Sequence, residues 1–262
     1  MTPYELMIKT NRHLINDGEI TDIQKENIVR HLLESKSDER TKQSFYKTMS
    51  GPMYPLYFIP PYNNNKKFQT VIPMSPKTHI LSANAYELEI IRILYLFAPE
   101  NPDVKYMVNN TLDRLELSCL GGECCIGECF HSSLPVLRFF AVAALQEKEW
   151  IKRLVLKINK HIDDRQKCNT GAVNYYWLCL SELPYEEIAG LEILRYKDDL
   201  FSQLNKSVSI SSENNKINQP VLYRVMRNCL CRLPEYAYIK ERQPYINKKD
   251  GRLYFDTNFS LI

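Results

Sequence analysis

The chain has 262 residues, of which 44% are hydrophobic and 25% charged, proportions that suit a folded protein with a substantial core. Its 34 basic and 31 acidic side chains are interspersed and give a formal net charge of +3, so the basic stripe of a nucleic-acid-binding protein is missing. No apolar run reaches the roughly 18 residues that span a bilayer. Residues 1–16 also lack the apolar segment of a signal peptide. We therefore expect a cytoplasmic protein with no nucleic-acid partner and no membrane span, whose eight cysteines are not paired in disulfides.

The first third of the chain has two parts. Residues 1–50 have the pattern of short helices, and Thr21 and Gln24 have the spacing of a capping box. Residues 51–81 contain six prolines, which interrupt helices because proline lacks the amide donor. This proline-rich segment also carries many apolar side chains, so we predict an irregular loop that packs on the body of the protein or forms a loose hairpin.

From residue 82 to residue 245, apolar helices alternate with amphipathic ones. The ends of the apolar helices follow one another at intervals of about 40–50 residues, which is typical of helix-pair repeats. Asn101 and Pro102 are a favourable N-cap and first-turn residue for an amphipathic helix. The predicted apolar helices are Glu87–Phe97, Leu134–Leu145, Val173–Leu183 and Val221–Leu233.

The two helix types predict an inner and an outer layer. The segment Val136–Leu145 is apolar nearly all round and should be buried on every side, whereas Trp150–Ile162 alternates apolar residues with Lys and Arg. We predict an all-α fold of repeated helical hairpins in a single domain over residues 1–262. Residues 246–262 would form a C-terminal tail.

The segment Asn110–Leu145 resembles the repeat of the α/α-toroid proteins, which include protein prenyltransferases and terpenoid cyclases. It contains an amphipathic helix, the pair Gly121-Gly122, a short loop and an apolar helix, and Trp150–Leu183 repeats this layout with Gly171 in its loop. The resemblance implies inner helices that line a central pocket. The Asp-rich motif of terpenoid cyclases is missing, and the recognisable helix pairs are fewer than a closed toroid contains. A toroid, an open arc and an unrelated helical solenoid therefore all remain as alternatives.

Residues 119–131 hold the densest reactive chemistry, with four cysteines, a histidine and two glutamates. Thiolates and imidazoles are the usual zinc ligands, which makes Cys125, Cys129 and His131 candidates for a zinc site. Cysteines that merely fill space and a reactive thiol at a helix start are the alternatives. Toroid prenyltransferases hold a catalytic zinc with an Asp-x-Cys pair, and the nearest pattern here is Glu123-x-Cys125.

Acid–base chemistry in the same loop would fall to Glu123, Glu128 and His131. His161 has charged neighbours and is predicted to lie at the surface, whereas Cys179 is predicted to belong to the core.

Polar and aromatic residues on the apolar helices are the candidate ligand-binding groups. Arg138 lies in the most apolar helix, and its guanidinium needs an anionic partner, either a structural Glu or a ligand carboxylate or phosphate. If the inner helices converge, Arg138 would contribute to an aromatic-walled pocket. The other residues of this pocket would be Tyr175, Tyr176, Trp177 and Arg224.

Two functions follow from these patterns. The first is a toroid-like enzyme or ligand-binding protein, whose central pocket takes an apolar or peptide-like small molecule. The second is a non-catalytic helical-repeat module that binds a protein partner. Apolar inner helices that carry single arginines favour the first.

Overall fold

The computed structural model describes residues 1–16, 18–37, 56–60, 68–118, 128–163, 170–190, 192, 194–198, 221, 223–240, 242, 244–246 and 253–255. The protein is mainly helical in these residues, as the sequence predicts. The α-helices are α1 Pro3–Ile15, α2 Asp22–Glu34, α3 His79–Phe97, α4 Pro102–Glu116, α5 Cys129–Ala143, α6 Lys148–Asp163 and α7 Thr170–Glu182.

Shorter elements follow α7. A single π-helical turn covers Tyr185–Ala189, residues 194–198 and 223–228 are helical, and two 3₁₀ turns cover Leu230–Arg232 and Pro234–Ile239. Two short strands, β1 Pro244–Ile246 and β2 Leu253–Phe255, then pair antiparallel. The two strands lie at the predicted end of the repeats, residue 245, and in the predicted C-terminal tail, residues 246–262.

The chain divides into two compact units. One comprises Met1–Leu14 and Gly18–Val173, and the other comprises Ile15–Asp17 and Asn174–Ile262. A single domain over the whole chain, and the arrangement of the helix pairs as a toroid or an arc, stay predictions.

Two helix starts are confirmed by their hydrogen bonds. The Oγ1 of Thr21 accepts from the backbone N–H of Gln24, and the Gln24 side chain accepts from the N–H of Thr21, which completes the capping box. At the start of α4, the Oδ1 of Asn101 accepts from the N–H groups of Asp103 and Val104 at 2.9 and 3.3 Å. In both places a short polar side chain satisfies amides that the first helical turn leaves without partners.

The starts of two apolar helices were predicted too late. Helix α3 begins at His79 rather than Glu87, because Thr78 serves as its N-cap and its side chain accepts from the N–H of Ile80. Helix α5 begins at Cys129 rather than Leu134, so that Pro135 lies inside the helix.

In the first unit, the helices differ in burial as the sequence predicts, whereas their arrangement in an inner and an outer layer stays a prediction. Every residue from 81 to 94 in α3 is buried, and α3 packs against α2, α4 and α5. Helix α5 is also buried nearly throughout and packs against α6. On α6, Ile151, Leu154 and Ile158 are buried, whereas Lys152 and Leu156 are exposed.

The described parts of the proline-rich segment are irregular and packed, and they contain no strand. Leu56, Tyr57 and Phe58 are at most 2% exposed, and Ile72 is fully buried. In the part of the chain that the structure describes, no helix combines the length and the hydropathy that a membrane crossing requires.

Candidate functional site

Helix α3 carries two buried carboxylates that face different neighbours. Glu87 and Glu89 are two residues apart, which is about 200° around a helix, and both are at most 1% exposed. Glu87 lies 3.1 Å from the guanidinium of Arg114 on α4, and its other oxygen accepts from the backbone N–H groups of Tyr57 and Phe58 at 2.7 and 3.1 Å. Glu87 therefore holds α4 and the proline-rich segment on the same side of α3.

Glu89, the second carboxylate, is the anionic partner of Arg138. Both oxygens of Glu89 lie 2.9 Å from Nη1 of Arg138, and the Oδ1 of Asn11 on α1 accepts from the same nitrogen at 2.8 Å. Arg92 lies 3.9 Å from Glu89. The anionic partner of Arg138 is thus a structural glutamate. A ligand would have to displace this pair to reach the guanidinium.

Glu128 lies immediately before α5 and links it to α3. Its carboxylate accepts from the backbone N–H groups of Lys77 and Thr78 and from the hydroxyl of Thr78. Thr78 is the N-cap of α3, so Glu128 supports the start of that helix from the neighbouring element. A carboxylate at a helix N-terminus is stabilised by the amide dipoles of the first turn. Glu128 therefore positions the start of α3 relative to α5. Its predicted role in acid–base chemistry stays a prediction.

His131 is half-buried near the start of α5. Burial lowers the pKa of its imidazole below the ordinary 6.5, and the electrostatic effects of His161 and Lys77 act in the same direction against the opposing charge of Glu128. Phe130 lies between the two histidines, edge-on to His131 with ring centroids 5.2 Å apart and stacked on His161 at 3.9 Å. The neutral imidazole is the favoured form, which suits a proton acceptor or a metal ligand.

The predicted zinc set is not assembled by the described residues. Cys129 is 8% exposed, and Cys125 and Glu123 lie outside the described residues. Among the residues that the structure places, no group of three or more His, Cys, Asp or Glu side chains could hold a metal ion. A zinc site that includes Cys125 stays a prediction.

The aromatic candidates lie in the second unit. Tyr175 and Tyr176 are fully buried and Trp177 is 4% exposed. The hydroxyl of Tyr176 donates to Glu192 at 3.2 Å, and its ring is edge-on to Tyr196. Burial, aided by Glu192, raises the pKa of the Tyr176 phenol well above its ordinary value. These three aromatic side chains are therefore packed in the core of the second unit.

One arginine and two cysteines of this unit also bear on a possible site. Arg224 is half-buried in the helical stretch 223–228, and Cys179 is fully buried, as predicted. Burial raises the pKa of Cys229 to about 12, so this thiol is protonated at neutral pH and a poor nucleophile.

An open groove lies elsewhere in the first unit, beside the end of α4 and the start of α6. Its volume is about 670 Å³. It combines two apolar side chains with six charged ones and one amide. The lining residues are Leu112, Asp113, Glu116, Gln146, Glu147, Lys148, Glu149, Trp150 and Arg153. This groove was not predicted from the sequence.

Two functional candidates were missed. His161 was predicted to lie at the surface, yet it falls three residues after the buried Ile158 and seven after Leu154, which is the apolar face of α6. That spacing could have predicted that His161 lies on the apolar face of α6. Trp150 was assigned only to an amphipathic helix, and no local signal shows that a groove opens beside it.

Comparison with protein-family models, with curated proteins and with solved structures found no match to this chain.

Proposed function

We propose that the protein is a non-catalytic helical-repeat module that binds a segment of a partner protein. The observation that carries this proposal is the open groove beside Trp150, which offers apolar surface and charge to an incoming chain. Concave surfaces of stacked helix pairs commonly serve this purpose.

The surroundings of the catalytic and ligand-binding candidates also support it. Arg138 is held by Glu89, Glu128 by backbone amides, and Tyr176 by Glu192. An enzyme of the toroid type needs inner helices that line a pocket, whereas α3 and α5 bury their side chains against their neighbours in the first unit.

The second candidate function is the toroid-like enzyme or ligand-binding protein. It is favoured by His131, whose half-buried imidazole has a lowered pKa and lies four residues after Gly127 in the cysteine-rich loop. In that function, His131 would accept a proton at the mouth of a pocket for an apolar or peptide-like molecule. Zinc would be an additional group of this second function only.

Selection from a displayed library of short random peptides tests the first proposal. We expect peptides with a shared sequence pattern to be enriched on the purified full-length protein, and to bind it in solution as free peptides. Failure to enrich any pattern, with a known peptide-binding domain enriched in parallel, would contradict the module and leave the enzyme as the stronger proposal.

A further inference from the structure

The groove has walls of two chemical kinds. Leu112 and Trp150 provide apolar surface, and Trp150 is held edge-on against Phe140 of α5 with ring centroids 4.7 Å apart. A tryptophan that is supported on one edge by the core presents a rigid surface, and rigid aromatic surface loses little entropy on binding. The groove thus has an anchor point that is already in position.

The charges around the anchor are mainly negative. Four carboxylates line the groove against two cationic side chains, Lys148 and Arg153. The side chains of Asp113, Glu116 and Glu147 make no ion pair or hydrogen bond within the described part of the chain. Glu149 is paired with Lys152 at 2.8 Å. Three carboxylates are therefore available to an incoming cation.

The net charge of the side chains that line the groove is negative, whereas the net charge of the whole chain is positive. The chain carries a formal net charge of +3, whereas the groove collects acidic groups in one place. A local cluster of carboxylates attracts a cationic segment toward the groove.

Exposed apolar side chains extend the surface beyond the groove. Leu117 and Leu145 are 53% and 39% exposed and adjoin the lining residues Glu116 and Gln146 in the sequence. Leu156 is 66% exposed and follows Arg153 by three residues on α6, which puts it on the same helix face.

We infer that the groove binds a basic amphipathic segment of a partner protein, with Lys or Arg side chains beside Asp113, Glu116 and Glu147 and an apolar side chain on Trp150. This inference rests on the proposed function and specifies the chemistry of the partner.

A matched pair of charge-reversal variants tests the inference. In the groove variant, Asp113→Lys and Glu116→Lys are combined; both positions lie near the C-terminus of α4, where cations suit the helix dipole, so the fold should tolerate them. In the control variant, Glu26→Lys and Glu34→Lys are combined at exposed positions of α2 and change the net charge equally.

We expect the peptides enriched on the wild-type protein to contain Lys or Arg together with aliphatic or aromatic residues. Their dissociation constants should rise about tenfold in the groove variant and stay unchanged in the control variant. Binding should also weaken between about 0.1 M and about 1 M salt, since the screening length falls from about 10 Å to about 3 Å.

Three results would overturn the inference. Enriched peptides without excess positive charge would contradict the assigned chemistry, and equal binding by both variants would contradict the location, while the module function stands in either case. Concentration-dependent dimerisation of the wild type in sedimentation experiments, lost in the groove variant alone, would assign the groove to a second copy of this chain. Failure to enrich any peptide would count against the proposed function itself.

Discussion

Two glutamates of α3 determine much of the packing around that helix. Glu87 and Glu89 are buried on opposite sides of the helix, and each meets a guanidinium from a different neighbour, Arg114 or Arg138. Buried ion pairs add little net stability over apolar replacements, but they strongly penalise any packing that separates the charges. We infer that these pairs specify which faces of α3, α4 and α5 meet.

Substitution of one partner should therefore cost more than substitution of both. We expect Arg138→Leu to lower the free energy of unfolding by about 3–5 kcal/mol, because it leaves the carboxylate of Glu89 buried with weaker compensation. Combining it with Glu89→Leu should recover a large part of that loss. Chemical denaturation of the wild type, both single variants and the double variant measures the coupling. Additive losses in the four proteins would show that the pair has no specifying role.

His131 should give the stability a dependence on pH. Its pKa is lowered in the folded protein from 6.5, so below pH 6.5 the unfolded chain binds the proton more readily than the folded chain does. The contribution is fully present above pH 6.5 and is lost as the pH falls toward the folded-state value. We expect the unfolding free energy of the wild type to fall more steeply than that of His131→Gln over this window. Identical slopes in denaturation series would mean that His131 titrates alike in both states.

At the scale of elements, the sequence predicted where helices exist better than where they begin. The capping side chains of α2 and α4 act within their own segments, and those starts were predicted correctly. The start of α3 depends on Glu128, about fifty residues further along the chain, and no local pattern can show such a contact. Pro135 favours a helix start in its own neighbourhood. In the structure it lies inside α5, where burial of the surrounding residues offsets the missing amide donor.

The link between α5 and α3 can be tested at Glu128. We expect Glu128→Ala to lower the unfolding free energy by about 1–2 kcal/mol, because the amides of Lys77 and Thr78 lose a charged acceptor at a partly exposed place. Glu128→Gln keeps an acceptor oxygen and should lose less. Hydrogen exchange should accelerate at the first turn of α3 and stay unchanged in α2.

Equal exchange at the start of α3 in the wild type and in Glu128→Ala would contradict the positioning task. Glu128 would then have no structural role at the start of α3 and would remain a candidate for acid–base chemistry.

For the whole molecule, α3 and α5 are buried and α6 is half-exposed in the first unit, whereas the repeat arrangement and the central pocket stay predictions. Sequence patterns record which face of a helix is apolar. They do not record which charged residues meet inside. The sequence left open whether the anionic partner of Arg138 is a structural Glu or a ligand, and the structure places Glu89 beside it. The groove depends in a similar way on the relative positions of α4 and α6, which the sequence does not specify.

Acrylamide quenching of tryptophan fluorescence tests most directly whether a basic segment binds beside Trp150. The chain has two tryptophans, and Trp177 is only 4% exposed, so the quencher reports mainly on the half-buried Trp150. We expect saturation with an enriched basic peptide to reduce quenching in the wild type and to leave quenching unchanged in Trp150→Phe. Peptide binding that leaves the quenching of wild-type protein unaltered would contradict binding beside Trp150.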